Sequence, residues 1–249
     1  MISYDEAIRI AQEFSMEVAG KFPGKIVAVF AIGSLGSDYY RPGQSDIDTA
    51  VITNCGRHDV TQIEQEIEII QDRYWREYNV PKGFGAIVFA EEQLYPPYVK
   101  EEELLLEILR LKTQSKLLYG KYNIEDIPMP DQQSIIDDAT AFQAWADRER
   151  EKDPSFHVFD TQKLVNSTLI ALKRYLMIRH GIVEFNKFKV IGLYLQNHPP
   201  LVDEETFDFI DLSLHHTDVE VDAEKLSRMV KWHDVLYATI NDLVLYTQT

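Results

Sequence analysis

The sequence predicts an α/β unit over residues 1–124 followed by an all-α helical bundle over 125–249. Three observations carry that division. Short apolar, β-branched runs alternate with helical periods in the first half, the signature of strands covered by helices. After Leu104 the strand pattern stops, and apolar residues recur at intervals of three and four. Between the two regimes, Asn123 to Pro130 carries two prolines and reads as a linker.

The elements follow in order. Ser3 and Glu6 fit a capping box, and Ile8, Ala11, Phe14 and Val18 keep a helical spacing that Gly20 and Pro23 stop. Ile26 to Ile32 is an uninterrupted apolar run between Gly24 and Gly33, a buried strand. A loop rich in Gly, Ser and Pro covers 33–45, and a second strand runs through Ile47, Ala50, Val51 and Ile52. Val60, Ile63, Ile67, Ile70, Tyr74 and Tyr78 make one face of a helix over 59–78. Phe84 to Ala90 is a third strand. A Leu-rich helix is then expected over 104–118, closed by Gly120, and helices fit 132–151, 161–180, 187–197, 204–215 and 222–246.

Composition narrows the function. Lys and Arg total 25 against 41 Asp and Glu, a formal net charge of −16. Affinity for nucleic acid comes from neutralising phosphates with basic side chains, so this balance argues against a nucleic-acid partner and favours a cationic one. The longest apolar run is the seven residues of Ile26–Ile32, too short to span a bilayer. The first residues lack the basic start and apolar stretch of a signal peptide, so a cytoplasmic location with no membrane partner is expected. Cys55 is the one cysteine and follows a strand without a partnering His motif, which reads as a small buried residue. His180, His198, His215, His216 and His233 show no zinc-ligand spacing.

The informative segment runs from Ile32 to Val51. A strand ends in Gly33-Ser34, a loop of eleven residues follows, and Asp46-Ile47-Asp48 leads into the next strand. Residues two apart on a strand share a face, so both carboxylates point one way and repel. A hard cation such as Mg²⁺ removes that penalty, since it is held by one or two carboxylates together with substrate phosphates. Gly33 permits close backbone approach, and amides with the Ser34 hydroxyl suit phosphate oxygens. Arg41 in the loop balances further phosphate charge.

This segment resembles the signature of the DNA polymerase β nucleotidyltransferase superfamily: hydrophobic-Gly-Ser, about a dozen residues, then Asp-hydrophobic-Asp-hydrophobic. The resemblance covers the first half of the chain and implies a nucleotidyltransferase domain with a small mixed sheet. It implies that Asp46 and Asp48 are catalytic and bind two Mg²⁺ ions, and that Gly33, Ser34 and Ser45 face the triphosphate of ATP or another NTP. Within the superfamily, a catalytic domain followed by a helical bundle looks like the streptomycin/spectinomycin adenylyltransferases. Arg41-Pro42 before the Asp-x-Asp, Ala90-Glu91-Glu92-Gln93-Leu94-Tyr95-Pro96, and Leu117-Leu118-Tyr119-Gly120 with Ile127-Pro128-Met129-Pro130 are further local likenesses. The implied activity is transfer of a nucleoside monophosphate, AMP from ATP, to a hydroxyl of a small cationic acceptor such as an aminoglycoside, and hence antibiotic resistance, by a monomer or homodimer.

One departure stands out. Those adenylyltransferases carry a third carboxylate, the proposed base, early on the third strand, and the matching position here is Gly85. Glu91 has the right strand parity, but six residues of strand place it roughly 20 Å away. The alternative is therefore a nucleotide-binding or regulatory, antitoxin-like protein with a degenerate site. In the helical half, Arg174 and Lys187 (or Lys189) sit where the resemblance implies bases that reach the triphosphate. Trp145 reads first as a core aromatic, and Asp137, Asp138, Asp147 and Asp160 as solvated acids that also suit an acceptor's ammonium groups.

Overall fold

The computed structural model describes residues 1–37, 39–98, 104–141 and 161–197, with Glu224, Lys231 and Ala238. Within these, the chain forms α1 (Tyr4–Lys21), β1 (Ile26–Ile32), the single turn α2 (Gly33–Gly36), β2 (Ile47–Thr53), α3 (Arg57–Tyr78) and β3 (Phe84–Ala90). A 3₁₀ turn follows at Glu91–Leu94, then α4 (Leu104–Thr113), β4 (Ser115–Gly120) and a second 3₁₀ turn at Ile124–Asp126. Helix α5 covers 132–141, and α6 (Thr161–His180) and α7 (Lys187–Asn197) complete the described elements. The chain divides into two compact units, 1–99 with 104–130, and 100–103 with 131–249.

The first unit is built on a four-stranded mixed sheet in the order β3-β2-β1-β4. Strands β1 and β2 are antiparallel, β1 and β4 antiparallel, and β2 and β3 parallel. Both faces are covered, which is why β1 reads as an unbroken apolar run rather than an alternating one. Val29 and Ala31 of β1 join a core with Ala11, Phe14 and Val18 of α1 and Ile63, Ile67 and Ile70 of α3. Ala28, Phe30 and Ile32 face the opposite way, into a core with Ala50 and Ile52 of β2 and Ile108 and Leu111 of α4. Helix α1 starts as its sequence requires: the Ser3 side chain accepts from the Glu6 N–H at 3.2 Å.

The expected helix over 104–118 is corrected. It ends at Thr113, and Ser115–Gly120 is a strand on the edge of the sheet. Leu117 and Leu118 continue the helical pattern of α4, but pairing with β1, Ile32 opposite Ser115 and Val29 opposite Tyr119, outweighs that local preference. The segment read as a linker is folded onto the first unit. Asn123 caps the turn at Ile124–Asp126, and Ile127 is buried in the core below α4, so the unit runs on to Pro130.

The described elements of the second unit are all helices. Tyr175 of α6 meets Tyr194 of α7 edge-on with ring centroids 5.4 Å apart, and Gln132 of α5 donates to the Ile178 carbonyl at 3.0 Å. Ile135, Ile136, Leu172, Leu176, Val190 and Ile191 are buried. The helix expected at 204–215, the last ten residues of 132–151, Trp145, Asp147, Asp160 and the histidines beyond His180 lie outside the described residues, as does 222–246 apart from Glu224, Lys231 and Ala238, which are helical. Among the described residues no helix is long and apolar enough to cross a membrane.

Candidate active site

Strand register assembles the site. On β2, Asp48 shares its parity with Ala50 and Ile52, the residues that face α4. It is paired with Ile32, the last residue of β1, on one side and with Gly85 of β3 on the other. The Gly33-Ser34 turn, the Asp46-Ile47-Asp48 entry to β2 and Gly85 therefore meet at one end of the sheet. Distant segments of sequence become neighbours there through backbone pairing alone.

Gly33 has φ of +62°, a conformation that favours glycine. Its N–H donates to the Gln114 carbonyl at 3.1 Å, where α4 passes into β4. The Gly33 amide thus already serves the fold, and the close backbone approach expected of this glycine rests on its conformation. Ser34 supplies the better-fitting donor. Its Oγ is buried and has no hydrogen-bond partner among the described residues, and a buried hydroxyl without a partner costs free energy that an incoming acceptor oxygen would recover. Ser45 closes the loop: its Oγ accepts from the Arg41 N–H at 3.0 Å, and its own N–H donates to the Arg41 carbonyl at 2.9 Å. Arg41 and Asp46 are both half-buried. Burial raises the Tyr40 phenol above its ordinary value, and the negative charges of Asp46 and Glu6 raise it further.

The residue that sequence reading missed is Arg110. From α4 its guanidinium donates to Asp48 Oδ2 and, at 3.3 Å, to Glu107 Oε2. It lies so close to Gly33 that any Cβ on that residue would overlap it. Burial by itself lowers the Arg110 pKa, but the charges of Asp48 and Glu107, with Asp46 beyond them, outweigh burial and hold it above the ordinary value. Glu107, three residues back on the same helix, was also missed. The signal was faint, since Glu107 and Arg110 sit in a Leu-rich stretch where a charged pair at i, i+3 reads as surface decoration.

Gly85 is where a third carboxylate was expected, and a Cβ built on it would stand 2.6 Å from Asp48 Oδ1. Glu91 follows Ala90, which pairs with Thr53 at the far end of β2, so it does not reach the Asp48 end.

The donors suit a hard cation. Asp46 and Asp48 are carboxylates entering one strand, Arg110 engages Oδ2 of Asp48 while Oδ1 lies on the Gly85 side, and the Ser34 hydroxyl, unpartnered among the described residues, belongs to the turn that meets them at this sheet end. Two carboxylates with the remaining positions left to phosphates and water match the way Mg²⁺ is held. Among the described residues no group of three or more His, Cys, Asp or Glu side chains is arranged around a metal position.

In the second unit, Arg174 of α6 is buried and donates to Asp138 of α5 at 3.2 Å. Burial raises the Asp138 pKa, and the charge of Arg174 works against that rise. Asp137 accepts from Gln133 at 2.8 Å. Lys187 opens α7, its Nζ 5.5 Å from the Phe188 ring centroid, and Lys189 is exposed. Cys55 is half-buried against the first core.

No family model and no curated protein matches this chain. The fold does have a counterpart among solved structures: the spectinomycin adenyltransferase AAD(9) from Enterococcus faecialis with ATP and spectinomycin, at a TM-score of 0.60. The sequences are 14 % identical, and the match covers 96 % of this chain and 98 % of that one. The described fold thus resembles that of a nucleotidyltransferase.

Proposed function

We propose that this protein is a Mg²⁺-dependent nucleotidyltransferase that moves a nucleoside monophosphate, AMP from ATP, onto a hydroxyl of a small cationic acceptor such as an aminoglycoside. The observation that carries this reading is the meeting of Gly33-Ser34 and the Asp46/Asp48 pair at one sheet end, with the Ser34 hydroxyl buried and unpartnered among the described residues. Asp46 and Asp48 would hold the metal, which supplies charge stabilisation at the phosphoryl oxygens. Ser34 would donate to a phosphate oxygen, and the Arg41–Ser45 turn would fix the loop that carries Asp46. In the transfer, the acceptor oxygen bonds to the α-phosphorus, the bond to the bridging oxygen breaks, pyrophosphate leaves, and the hydroxyl proton passes to a base or water. The similar fold of an enzyme crystallised with ATP and spectinomycin supports the nucleotide and the class of acceptor. The net charge of −16 supports an acceptor bearing ammonium groups.

Gly85 favours a second reading, a nucleotide-binding or regulatory protein with a degenerate site, because the residue paired with Asp48 carries no carboxylate. A pyrophosphate-release assay with each NTP against a panel of aminoglycosides and simple alcohols separates the two. The expected result is ATP-dependent release that an aminoglycoside accelerates. ATP binding with no release for any NTP and acceptor would transfer the conclusion to the second reading. A general base contributes ~10²–10⁴-fold, so G85E should speed release by a factor in that range if the base position is vacant. An unchanged rate would locate the base elsewhere, whereas a lower one would report displacement of Asp48, whose Oδ1 the new Cβ would meet at 2.6 Å.

A further inference from the structure

We propose that Arg110 is the resident counter-ion of the site and exchanges with the divalent cation, so that metal and nucleotide binding are coupled through its guanidinium. This rests on the reading of Asp46 and Asp48 as the metal-holding pair. Three observations converge on the arginine. It donates to Asp48 Oδ2, one of the oxygens a cation would take. It occupies the space that the absent side chain of Gly33 leaves open, next to the turn that bears the Ser34 hydroxyl, unpartnered among the described residues. And it keeps a second hold on Glu107 of its own helix at 3.3 Å, which ties it to the site when Asp48 is taken by something else.

The physics of the exchange is simple. Asp46 and Asp48 enter one strand with like charge, and with no metal bound Arg110 offsets that repulsion. A divalent cation and a guanidinium on the same carboxylate repel each other, so a metal that takes Oδ2 displaces Arg110 from it. Displaced, a planar fork of N–H donors lies beside the Gly33-Ser34 turn, where a phosphate is its best partner. Metal alone must break an ion pair and leave a cation poorly compensated. Metal with a triphosphate breaks the same pair and forms a new one. Nucleotide therefore strengthens metal binding, and by linkage metal strengthens nucleotide binding by the same factor.

The test uses the full chain, wild type and R110Q, with two separate titrations: Mn²⁺ alone, followed by the electron-spin signal of the free ion, and ATP in EDTA without metal, followed by calorimetry. Exchange predicts shifts of opposite sign. R110Q should bind Mn²⁺ alone more tightly, by a factor in the ordinary coupling range of about 5–150, and bind metal-free ATP more weakly. A merely structural role for Arg110 would weaken both, and that result, or an unchanged Mn²⁺ affinity, overturns the proposal. If circular dichroism shows R110Q unfolded, R110K takes its place. It keeps a cation but loses the fork, and it should show the same pair of shifts at smaller size; their absence overturns the proposal equally. Wild type that binds no Mn²⁺ even at millimolar concentration removes the exchange along with the metal site. Opposite shifts in a protein that releases no pyrophosphate would uphold the exchange and sink the transfer reading. Robust release without the shifts would do the reverse.

Discussion

Two Asp–Arg pairs away from the exposed helix surfaces, Asp48 with Arg110 and Asp138 with Arg174, have the same chemistry in different surroundings. The side chains of Asp48 and Arg110 are 21 % and 23 % exposed, and Glu107 shares the guanidinium. Those of Asp138 and Arg174 are 8 % and 1 % exposed, joining two helices of the second unit. A partly wet pair can trade one partner for another ion at modest cost, because water and a neighbouring carboxylate cover the transition. A dry pair cannot, since removing either member leaves a charge uncompensated in the interior. The first arrangement suits a site and the second suits a scaffold. Arg174 is buried and joins α5 to α6 through Asp138, and R174M decides whether it also makes the reach toward a triphosphate that the sequence resemblance implied.

The contrast is broken most sharply at the carboxylates. D48N and D46N should lower transfer more than about a thousandfold, since several kcal/mol of charge stabilisation depend on holding the metal. Urea unfolding of D48N should shift by no more than about 1 kcal/mol, the ordinary worth of a partly exposed pair. Turnover near wild type in either variant would refute the site.

At the buried pair the balance should reverse. R174M leaves Asp138 without its cation and should destabilise the chain by about 3–5 kcal/mol in urea unfolding. A change below about 1 kcal/mol, with transfer lost, would instead return Arg174 to the nucleotide.

Between these lies Gly33. G33A forces a side chain onto a backbone with φ of +62° and into the guanidinium of Arg110. The backbone strain alone costs of order 1–3 kcal/mol, and displacement of Arg110 should loosen metal-free ATP binding as R110Q does. An unperturbed melting midpoint together with unchanged ATP affinity would show that the turn tolerates the change and that Arg110 does not depend on it.

The smallest effect is a pH dependence that involves neither pair. Burial, then the charge and hydrogen bond of Glu17, push the Tyr74 phenol up to about 12. The unfolded phenol titrates near 10. Between these values the folded state holds the proton that the unfolded state has lost, so stability is complete below pH 10 and declines as pH rises toward 12. Thermal unfolding across that window should show the decline, and Y74F should flatten it. A decline equally steep in Y74F would assign it to other groups.

The first half of the fold was legible because its signals are local. The capping box at Ser3 and Glu6, the apolar run of Ile26–Ile32 and the periodic face of α3 each specify their element without help from the rest of the chain. The Asp-x-Asp spacing likewise needs only strand parity for the expectation that both carboxylates share a face, and in the fold Asp46 stands just before β2. Residues 115–120 were not legible, because Leu117 and Leu118 suit a helix as well as a strand, and only the open edge of β1 selects between them. The site was legible in outline for the same reason and incomplete for the same reason. Asp46, Asp48, Gly33 and Ser34 announce themselves by type and spacing. Arg110 lies 62 residues beyond Asp48 and acquires its place only when α4 covers the face of β2 that carries that carboxylate. Which charges neutralise one another is a matter of distances of a few ångströms in a partly dry environment, and such distances exist only once the sheet and its helices have packed.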